Sequence, residues 1–252
     1  MTLSLNLTLY LMGENKKTRQ WGGGLYPGSF SRNKEYYERF NYVKLIRSFL
    51  GNKSITLLDI GARYGESTNW FAQHFNISVA HLFEPNPNLE VSVDKRIGKV
   101  FIHRVALSNE NTYKEFYIHA LAGMSSIEKI NTDSADSISY ATETKTSSII
   151  VKTLMLDSMS VKNIDIVKID VQAHELSVLE GGVNTFSNAK VILLEVSMYD
   201  LYSNSSKIGK IEDLLPNHLL FSIPFISYNP KNFRTDWVEL CFVHKQISQS
   251  II

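Results

Sequence analysis

One short stretch, Leu57–Gly65, most constrains what this chain can fold into, because it combines an apolar run, an acid and two glycines. The apolar run ends in Asp59, and Gly61 and Gly65 follow at the spacing of a tight turn. Glu66 then opens a segment whose bulky side chains recur at helical spacing. The pattern predicts a strand, a glycine turn and a helix, the arrangement that holds nucleotide-like ligands at the carboxyl end of a parallel strand.

The position of the acid separates two classes of nucleotide ligand. Aligned with the dinucleotide pattern G-x-G-x-x-G, the chain has Asp59 at the first glycine and Tyr64 at the third. A carboxylate repels a pyrophosphate but suits a cation such as the α-ammonium group of S-adenosyl-L-methionine. Glu84 ends the next predicted strand, Ser78–Phe83, where a carboxylate accepts hydrogen bonds from ribose hydroxyls. A nicotinamide-dependent oxidoreductase is therefore disfavoured. The simpler alternative is that Asp59 only caps a helix and Glu84 is solvated.

Composition limits the partners and the location. The 252 residues are 44% apolar, and 26 Lys and Arg nearly balance 25 Asp and Glu, so no overall charge attracts nucleic acid or acidic membranes. The single cysteine, Cys241, excludes an intramolecular disulfide, and its apolar neighbours predict a buried strand thiol. No apolar run approaches the ~18 residues of a membrane span, and the first residues lack a signal-peptide pattern. We expect a soluble, cytoplasmic protein that binds neither nucleic acid nor membrane, with its oligomeric state open.

Strand and helix patterns alternate from Ile55 to Glu195, which predicts an α/β fold with a mostly parallel sheet and helices on both faces. Two later strands, Leu219–Ile223 and Trp237–Val243, lack a crossover helix and predict an antiparallel C-terminal edge, with Pro224 in their connection. Four predicted strands end in acids, which should line a ligand crevice: Asp59, Glu84, Asp170 and Glu195.

The remaining segments complete the predicted organisation. Residues 1–50 form an N-terminal arm and a helix, Glu35–Leu50, that packs on the core, and residues 51–252 form the ligand-binding domain. The glycine-rich stretch Trp21–Gly28 is either a lid or a loose arm. A helix should run from Asn86, its cap, to about Ile97. The Ser- and Thr-rich segment 119–148 is too long for an ordinary connection, so it is either a mobile substrate cover or disordered.

In their order and spacing, these motifs resemble the FkbM-type S-adenosylmethionine-dependent methyltransferases over about Ile55–Val196. The residues that carry the resemblance are Asp59–Gly65, Phe83-Glu84-Pro85, Ser125-Ser126-Ile127, Thr153-Leu154 with Leu156-Asp157, Lys168–Glu175 with Val178-Leu179, and Glu195. The resemblance implies a class I methyltransferase (Rossmann-like) fold and transfer of a methyl group, usually to a hydroxyl oxygen. The acceptor would then be a sugar or another small molecule. The alternative is a cofactor-binding domain that has lost catalysis and acts through a protein partner.

Site residues follow from the same positions. The predicted contacts with S-adenosylmethionine are Asp59, Gly61, Arg63, Gly65, Thr68, Glu84, Pro85, Ala106 and Asp170. Ala106 follows the third predicted strand, Val100–Val105, whose end should face the adenine. Asp170 is the first candidate for the base that accepts the hydroxyl proton, because in this fold the fourth strand ends beside the methyl group.

His174, one helical turn after Asp170, is the second candidate base, since imidazole titrates near neutral pH; otherwise it is a surface residue of the helix. We predict no metal, although Asp170 and Glu195 are the kind of ligands that a divalent cation prefers.

Two residues depart from the family pattern, which usually has Asn in place of Arg63 and Gly in place of Ala173. Arg63 would pair either with the cofactor carboxylate or with Asp59. Ala173 adds a methyl group where the backbone needs to approach a ligand or adopt a positive φ. The sequence Asp170–Ala173 also stands where amine-methylating relatives carry an Asn/Asp-Pro-Pro-aromatic turn, which disfavours methylation of nucleic-acid bases.

Overall fold

The computed structural model describes residues 42–120, 122–131, 147–204, 208–228 and 233–248. The glycine-rich stretch, the first part of the predicted helix Glu35–Leu50 and most of the Ser- and Thr-rich segment lie outside these residues. Within the described ranges, no helix combines the length and the apolar character needed to cross a bilayer.

The sequence predicts alternating strands and helices from Ile55 to Glu195, but the described residues between 84 and 174 contain strands and no α-helix. The strands are β1 (Ile55–Ile60), β2 (Ile77–Phe83), β3 (Lys99–His103), β4 (Ala106–Leu107), β5 (Thr112–Ile118), β6 (Ser147–Leu154), β7 (Ile166–Ile169), β8 (Val191–Ser197), β9 (His218–Tyr228) and β10 (Thr235–His244). The helices are α1 (Tyr42–Leu50), α2 (Glu66–His74), α3 (Glu175–Glu180), α4 (Val183–Phe186), α5 (Ile208–Leu214) and α6 (Lys245–Ser248). Single 3₁₀ turns lie at Ala122–Met124 and Leu156–Ser158.

Seven strands form the main sheet in the order β3-β2-β1-β7-β8-β10-β9. The first five are parallel neighbours, and β10 runs antiparallel to both β8 and β9. Parallel order requires crossovers, and these place helices on both faces. Leu57 and Leu58 are fully buried on opposite faces, in the two largest apolar clusters. Phe71 of α2 belongs to the cluster of Leu57, and Val178 of α3 belongs to the cluster of Leu58. The predicted α/β sheet with helices on both faces is therefore confirmed.

The C-terminal edge of the sheet is antiparallel, as predicted, but Pro224 lies inside β9 and not in a connection. β9 is an edge strand, so a residue without an N–H group costs it no hydrogen bond within the sheet. The pairing also shifts register between Glu239 and Cys241, which leaves an extra β9 residue beside Pro224. Cys241 is a buried thiol of β10, and burial raises its pKa to about 12, which confirms the predicted strand thiol.

The predicted helix from Asn86 to Ile97 is wrong, because residues 84–98 are irregular, with turns at residues 87–88 and 95–96. The side-chain oxygen of Asn86 accepts the N–H group of Asn88 at 3.0 Å. The Arg104 guanidinium donates to the carbonyl oxygens of Asn86, at 3.1 Å, and Leu89, at 2.8 Å. Partners distant in sequence thus occupy carbonyl groups that a helix would use internally.

Three strands form a separate small sheet in the order β4-β6-β5. It contains the predicted strands Tyr113–Ile118 and Ile149–Leu154 as parts of β5 and β6. Ala106 also belongs to this sheet, because β3 stops at His103 and β4 pairs with Thr153 of β6. The side chain of Ala106 is buried in an apolar cluster with Phe116 and Val151.

Candidate functional site

The turn after β1 brings two strand ends into contact. Gly61 has φ +84°, and a β-carbon at this position would lie 1.9 Å from the carbonyl oxygen of Asp170. Gly65, with φ +87°, precedes α2, and a β-carbon there would lie 2.8 Å from the carbonyl oxygen of Ser92. Both positions therefore require glycine for its conformation and for its missing side chain.

Asp59 lies beneath the first turn of α2 and is only 2% exposed. Its Oδ2 atom accepts the hydroxyl of Thr68 at 2.6 Å and the backbone N–H of Thr68 at 3.2 Å. Asp59 therefore does cap the helix, as the simpler alternative held, but only through Oδ2. None of the hydrogen bonds among the described residues reaches Oδ1. Burial raises the pKa of Asp59 to about 6.

Glu84 follows β2 and is 5% exposed, so the simpler alternative, a solvated Glu84, is wrong. Its Oε2 atom accepts the N–H of Arg63 at 2.9 Å, and its Oε1 atom accepts the N–H of Asn86 at 2.8 Å. Burial raises the pKa of Glu84 to about 7, and the charge of Asp59 adds to the rise. The two acids thus lie at neighbouring strand ends and influence each other. Pro85, between Glu84 and Asn86, is half-buried.

Arg63 does not pair with Asp59. Its Nε atom lies 3.1 Å from Oε1 of Glu66, and the two side chains form an ion pair at the start of α2. The residue has φ +50°, a left-handed conformation that Asn adopts more readily than Arg. The ammonium site predicted at Asp59 is therefore not neutralised by this guanidinium.

The ends of β7 and β8 form the second half of the site. Asp170 and Glu195 are joined by the side-chain amide of Gln172, whose Nε2 atom lies 2.8 Å from Oδ1 of Asp170 and 3.1 Å from Oε1 of Glu195. Burial, together with the charge of Asp170, raises the pKa of Glu195 to about 8. An amide donor cannot ligate a cation, so this geometry disfavours a metal between the two acids. Across the described parts of the chain, no group of three or more His, Cys, Asp or Glu side chains is arranged to hold a metal ion.

His174 lies at the residue before α3 and is 4% exposed, so the surface alternative for this residue is wrong. Its Nδ1 atom lies 2.8 Å from Oε1 of Glu128, and its Nε2 atom lies 3.0 Å from the hydroxyl oxygen of Ser108. Because both ring nitrogens have protein partners, His174 is less suited than Asp170 to accept a substrate proton.

The turn between β7 and α3 contains two non-glycine residues with positive φ, Gln172 at +55° and Ala173 at +77°. Ala173 thus adopts the conformation for which the family uses Gly. Glu175 stabilises the turn, because its Oε1 atom accepts the N–H of Ala173 at 2.9 Å.

Several residues of this region carried no functional prediction. Ser126 lies in the predicted Ser-Ser-Ile motif, and its hydroxyl oxygen is 2.6 Å from the carbonyl oxygen of Gln172. The Tyr202 hydroxyl lies 3.0 Å from Oε1 of Gln172, and no sequence pattern marked it. Lys168 pairs with Asp59 in the register of β7 and β1, and its Nζ atom lies 3.8 Å from Oε2 of the buried Glu239.

The last strand of the mostly parallel sheet lies antiparallel between its two neighbours, and acids lie at the carboxyl ends of the first two strands. This arrangement defines a class I methyltransferase. The chain belongs to the FkbM-type S-adenosylmethionine-dependent methyltransferases, because the family model described as methyltransferase FkbM domain matches residues 59–222, more than half of the chain. The predicted family is therefore confirmed.

Two kinds of relative accompany the family match. The chain is 26% identical over 183 residues to the 2-O-methyltransferase NoeI of Sinorhizobium fredii, covering 68% of this chain and 75% of NoeI. Among solved structures, methyltransferase FkbM from Methylobacillus flagellatus KT is 13% identical with a TM-score of 0.44, covering 76% of this chain but only 44% of that protein. The magnesium protoporphyrin IX methyltransferase ChlM from Synechocystis, with bound SAM, is 11% identical with a TM-score of 0.47, covering 96% and 92%. These structural scores are low, and the fold assignment rests on the strand order.

Proposed function

We propose that this protein transfers a methyl group from S-adenosylmethionine to a hydroxyl oxygen of a sugar or another small-molecule acceptor. The observation that carries the proposal is the pair of buried acids, Asp59 and Glu84, at neighbouring strand ends. Burial excludes water from both carboxyl groups, so an ion pair or hydrogen bond that a ligand forms with them is stronger than it would be in water.

In the proposed binding mode, Asp59 attracts the α-ammonium group and Glu84 accepts the ribose hydroxyls. Each Glu84 oxygen already accepts one backbone N–H group, and a carboxylate oxygen has a second acceptor site for a ribose hydroxyl. Those two N–H bonds fix the orientation of the carboxylate before the ligand arrives. Gly61 and Gly65 bring no side chain to the two ends of the intervening turn.

The proposed chemistry is an in-line displacement. The acceptor oxygen forms a bond to the methyl carbon, the bond from carbon to the sulfonium sulfur breaks, and the hydroxyl proton passes to Asp170. The neutral thioether product retains the electron pair. Alignment of oxygen, carbon and sulfur can supply several kcal/mol, up to roughly 7–11 in model systems. The name of NoeI, a 2-O-methyltransferase, supports an oxygen acceptor.

Ligand-dependent thermal stability separates this proposal from an oxidoreductase. We expect S-adenosylmethionine and its demethylated product to stabilise the protein, by about 2.7 kcal/mol at 100 times the dissociation constant, and NAD to have no effect. Glu84→Ala should weaken cofactor binding, whereas the matched change at an exposed acid, Glu90→Ala, should not. Stabilisation by NAD alone, or unchanged affinity in Glu84→Ala, would contradict the assignment.

Transfer itself is tested with a labelled methyl donor and a panel of hydroxylated sugars and small molecules. We expect Asp170→Ala to slow turnover much more than it weakens cofactor binding. Cofactor binding without transfer to any acceptor would instead favour the alternative, a cofactor-binding domain that acts through a protein partner. The cytoplasmic location and the lack of nucleic-acid binding remain predictions from composition.

A further inference from the structure

A short segment, residues 122–131, packs against the turn that follows β7. The hydroxyl oxygen of Ser126 lies 2.6 Å from the carbonyl oxygen of Gln172 and 3.1 Å from that of Val171, and it accepts the N–H of Glu128 at 2.9 Å. Ser126 is 1% exposed. The backbone of Gln172 is therefore held from outside its own turn.

The side chain of Gln172 is held as firmly as its backbone. Its Nε2 atom donates to Asp170 and to Glu195, and its Oε1 atom faces the hydroxyl of Tyr202 at 3.0 Å. Three protein partners therefore set the orientation of this amide. The left-handed φ of +55° costs on the order of 1 kcal/mol, and such strain is retained where surrounding contacts impose it.

We propose that Gln172 is a positioning residue, whose amide holds one oxygen of Asp170 and one of Glu195 and so presents the other Asp170 oxygen to the acceptor hydroxyl. This inference rests on the proposed function, since it concerns the base of the same transfer. An amide serves this purpose because it donates two hydrogen bonds without carrying or exchanging a proton at neutral pH.

The charges around the pair give the amide a second effect. The groups that act on Asp170 and Glu195 come from every neighbouring element, namely Lys168 of β7, Glu175 of α3, Asp59 of β1 and Arg63 of the first turn, with Glu239 of β10 paired to Lys168. With its pKa raised to about 8, Glu195 holds its proton at neutral pH, and a protonated acid cannot act as the base. We therefore assign proton acceptance to Asp170, whereas the Gln172 amide, by donating to Glu195, lowers the pKa of Glu195.

The test compares Gln172→Ala and Gln172→Glu with the wild type and with Gln246→Ala, a change at an exposed glutamine of α6. We expect Gln172→Ala to lower kcat at least tenfold while the dissociation constant of S-adenosylmethionine changes less than threefold. Gln172→Glu adds a third carboxyl group and should shift the pH dependence of kcat to higher pH. Gln246→Ala should leave kcat and the dissociation constant of S-adenosylmethionine unchanged. A loss confined to cofactor affinity or to acceptor KM, or an unchanged pH profile in Gln172→Glu, would overturn the proposal.

A measurement without an acceptor separates this inference from the proposed function. Titration of ¹³C-labelled carboxyl groups by NMR follows Glu195 directly in the wild type and in Gln172→Ala. Removing the amide donor removes a bond that favours the charged form, so the midpoint for Glu195 should rise by about half a pH unit or more. An unchanged midpoint would reject the positioning role even if no acceptor is methylated. If the midpoint rises in Gln172→Ala but the wild type transfers no methyl group, only the proposed function is rejected.

Discussion

The carbonyl oxygen of Asp170 lies 1.9 Å from the place where a β-carbon of Gly61 would stand. This contact joins the carboxyl ends of β1 and β7, which are adjacent in the sheet although they are more than 100 residues apart in the chain. It also sets the distance between the proposed cofactor site and the proposed base. The missing side chain of Gly61 is thus a condition for the site as a whole.

Gly61→Ala should therefore destabilise the protein. We expect a loss of about 2–4 kcal/mol, from the left-handed φ of +84° and from overlap with the carbonyl group. The matched control is Gly209→Ala in α5, where a β-carbon would meet nothing within 4 Å and alanine should stabilise the helix by up to about 1 kcal/mol. Urea unfolding measures both. Equal stability of Gly61→Ala and the wild type would show that the strand ends can separate at little cost.

Thr68→Val should weaken cofactor binding in a pH-dependent way. The hydroxyl of Thr68 donates to Asp59 and lowers a pKa that burial has raised to about 6. Without that bond the pKa rises further, so at pH 7 less of Asp59 carries the charge that attracts the ammonium group. We expect roughly three- to tenfold weaker cofactor binding at pH 7. The affinities should converge by about pH 8.5, where Asp59 is ionised in both the variant and the wild type. Calorimetric titration at both pH values checks this, and a pH-independent difference would exclude an effect through Asp59.

The ligand-free protein should lose stability as pH rises from about 6.5 to 8.5. Burial raises the pKa of four carboxyl groups above their unfolded values: Asp59 to about 6, Glu84 to about 7, and Glu195 and Glu239 to about 8. The folded state therefore binds more protons than the unfolded state in this window, and the stabilisation is lost as each group ionises. Burial lowers the pKa of His81, His103 and His218 below their unfolded values. The stability that these neutral imidazoles contribute is therefore lost as pH falls below about 6.5. Thermal unfolding at constant ionic strength should show a falling Tm from pH 6.5 to 8.5, and a rising Tm would contradict this account.

His174 should prove to be structural. Both ring nitrogens have partners, Glu128 and Ser108, so His174→Leu removes two buried hydrogen bonds and should cost about 2–4 kcal/mol. His174→Gln keeps a polar side chain and should retain most of the methyl transfer once the protein is folded. Turnover and denaturant unfolding are measured on both variants. Complete loss of turnover in a stably folded His174→Gln would instead make His174 the base.

The parts of the fold that the sequence predicted well are local. The strand, turn and helix around Asp59 follow from apolar periodicity and from two glycines, and both glycines have the positive φ that such a turn requires. The predicted helix after Glu84 failed because Arg104, 15 residues beyond Leu89 in the chain, takes the carbonyl oxygens that a helix needs. The prediction that Pro224 lies in a connection was wrong, because an edge strand tolerates proline.

The two halves of the candidate site also differ in how far the sequence alone could predict them. Asp59 and Glu84 could be identified from sequence, because successive strands of a parallel sheet end at one edge. The contacts of Gln172 could not, since its partners Ser126, Glu195 and Tyr202 come from three other segments. No spacing rule connects a turn residue with a serine about 45 positions earlier or with a tyrosine 30 positions later.

By itself, the sequence determined the α/β class, the family and the two acids at the first strand ends, because each depends on short-range periodicity or on residues that follow a strand directly. Only the tertiary structure decided that Asp59 also caps α2, that Glu84 is buried, that His174 is enclosed between Glu128 and Ser108, and that an amide joins Asp170 to Glu195. The physical reason is that burial and hydrogen-bond partners are set by segments that meet only after the sheet has formed, and these contacts fix which acids keep their protons.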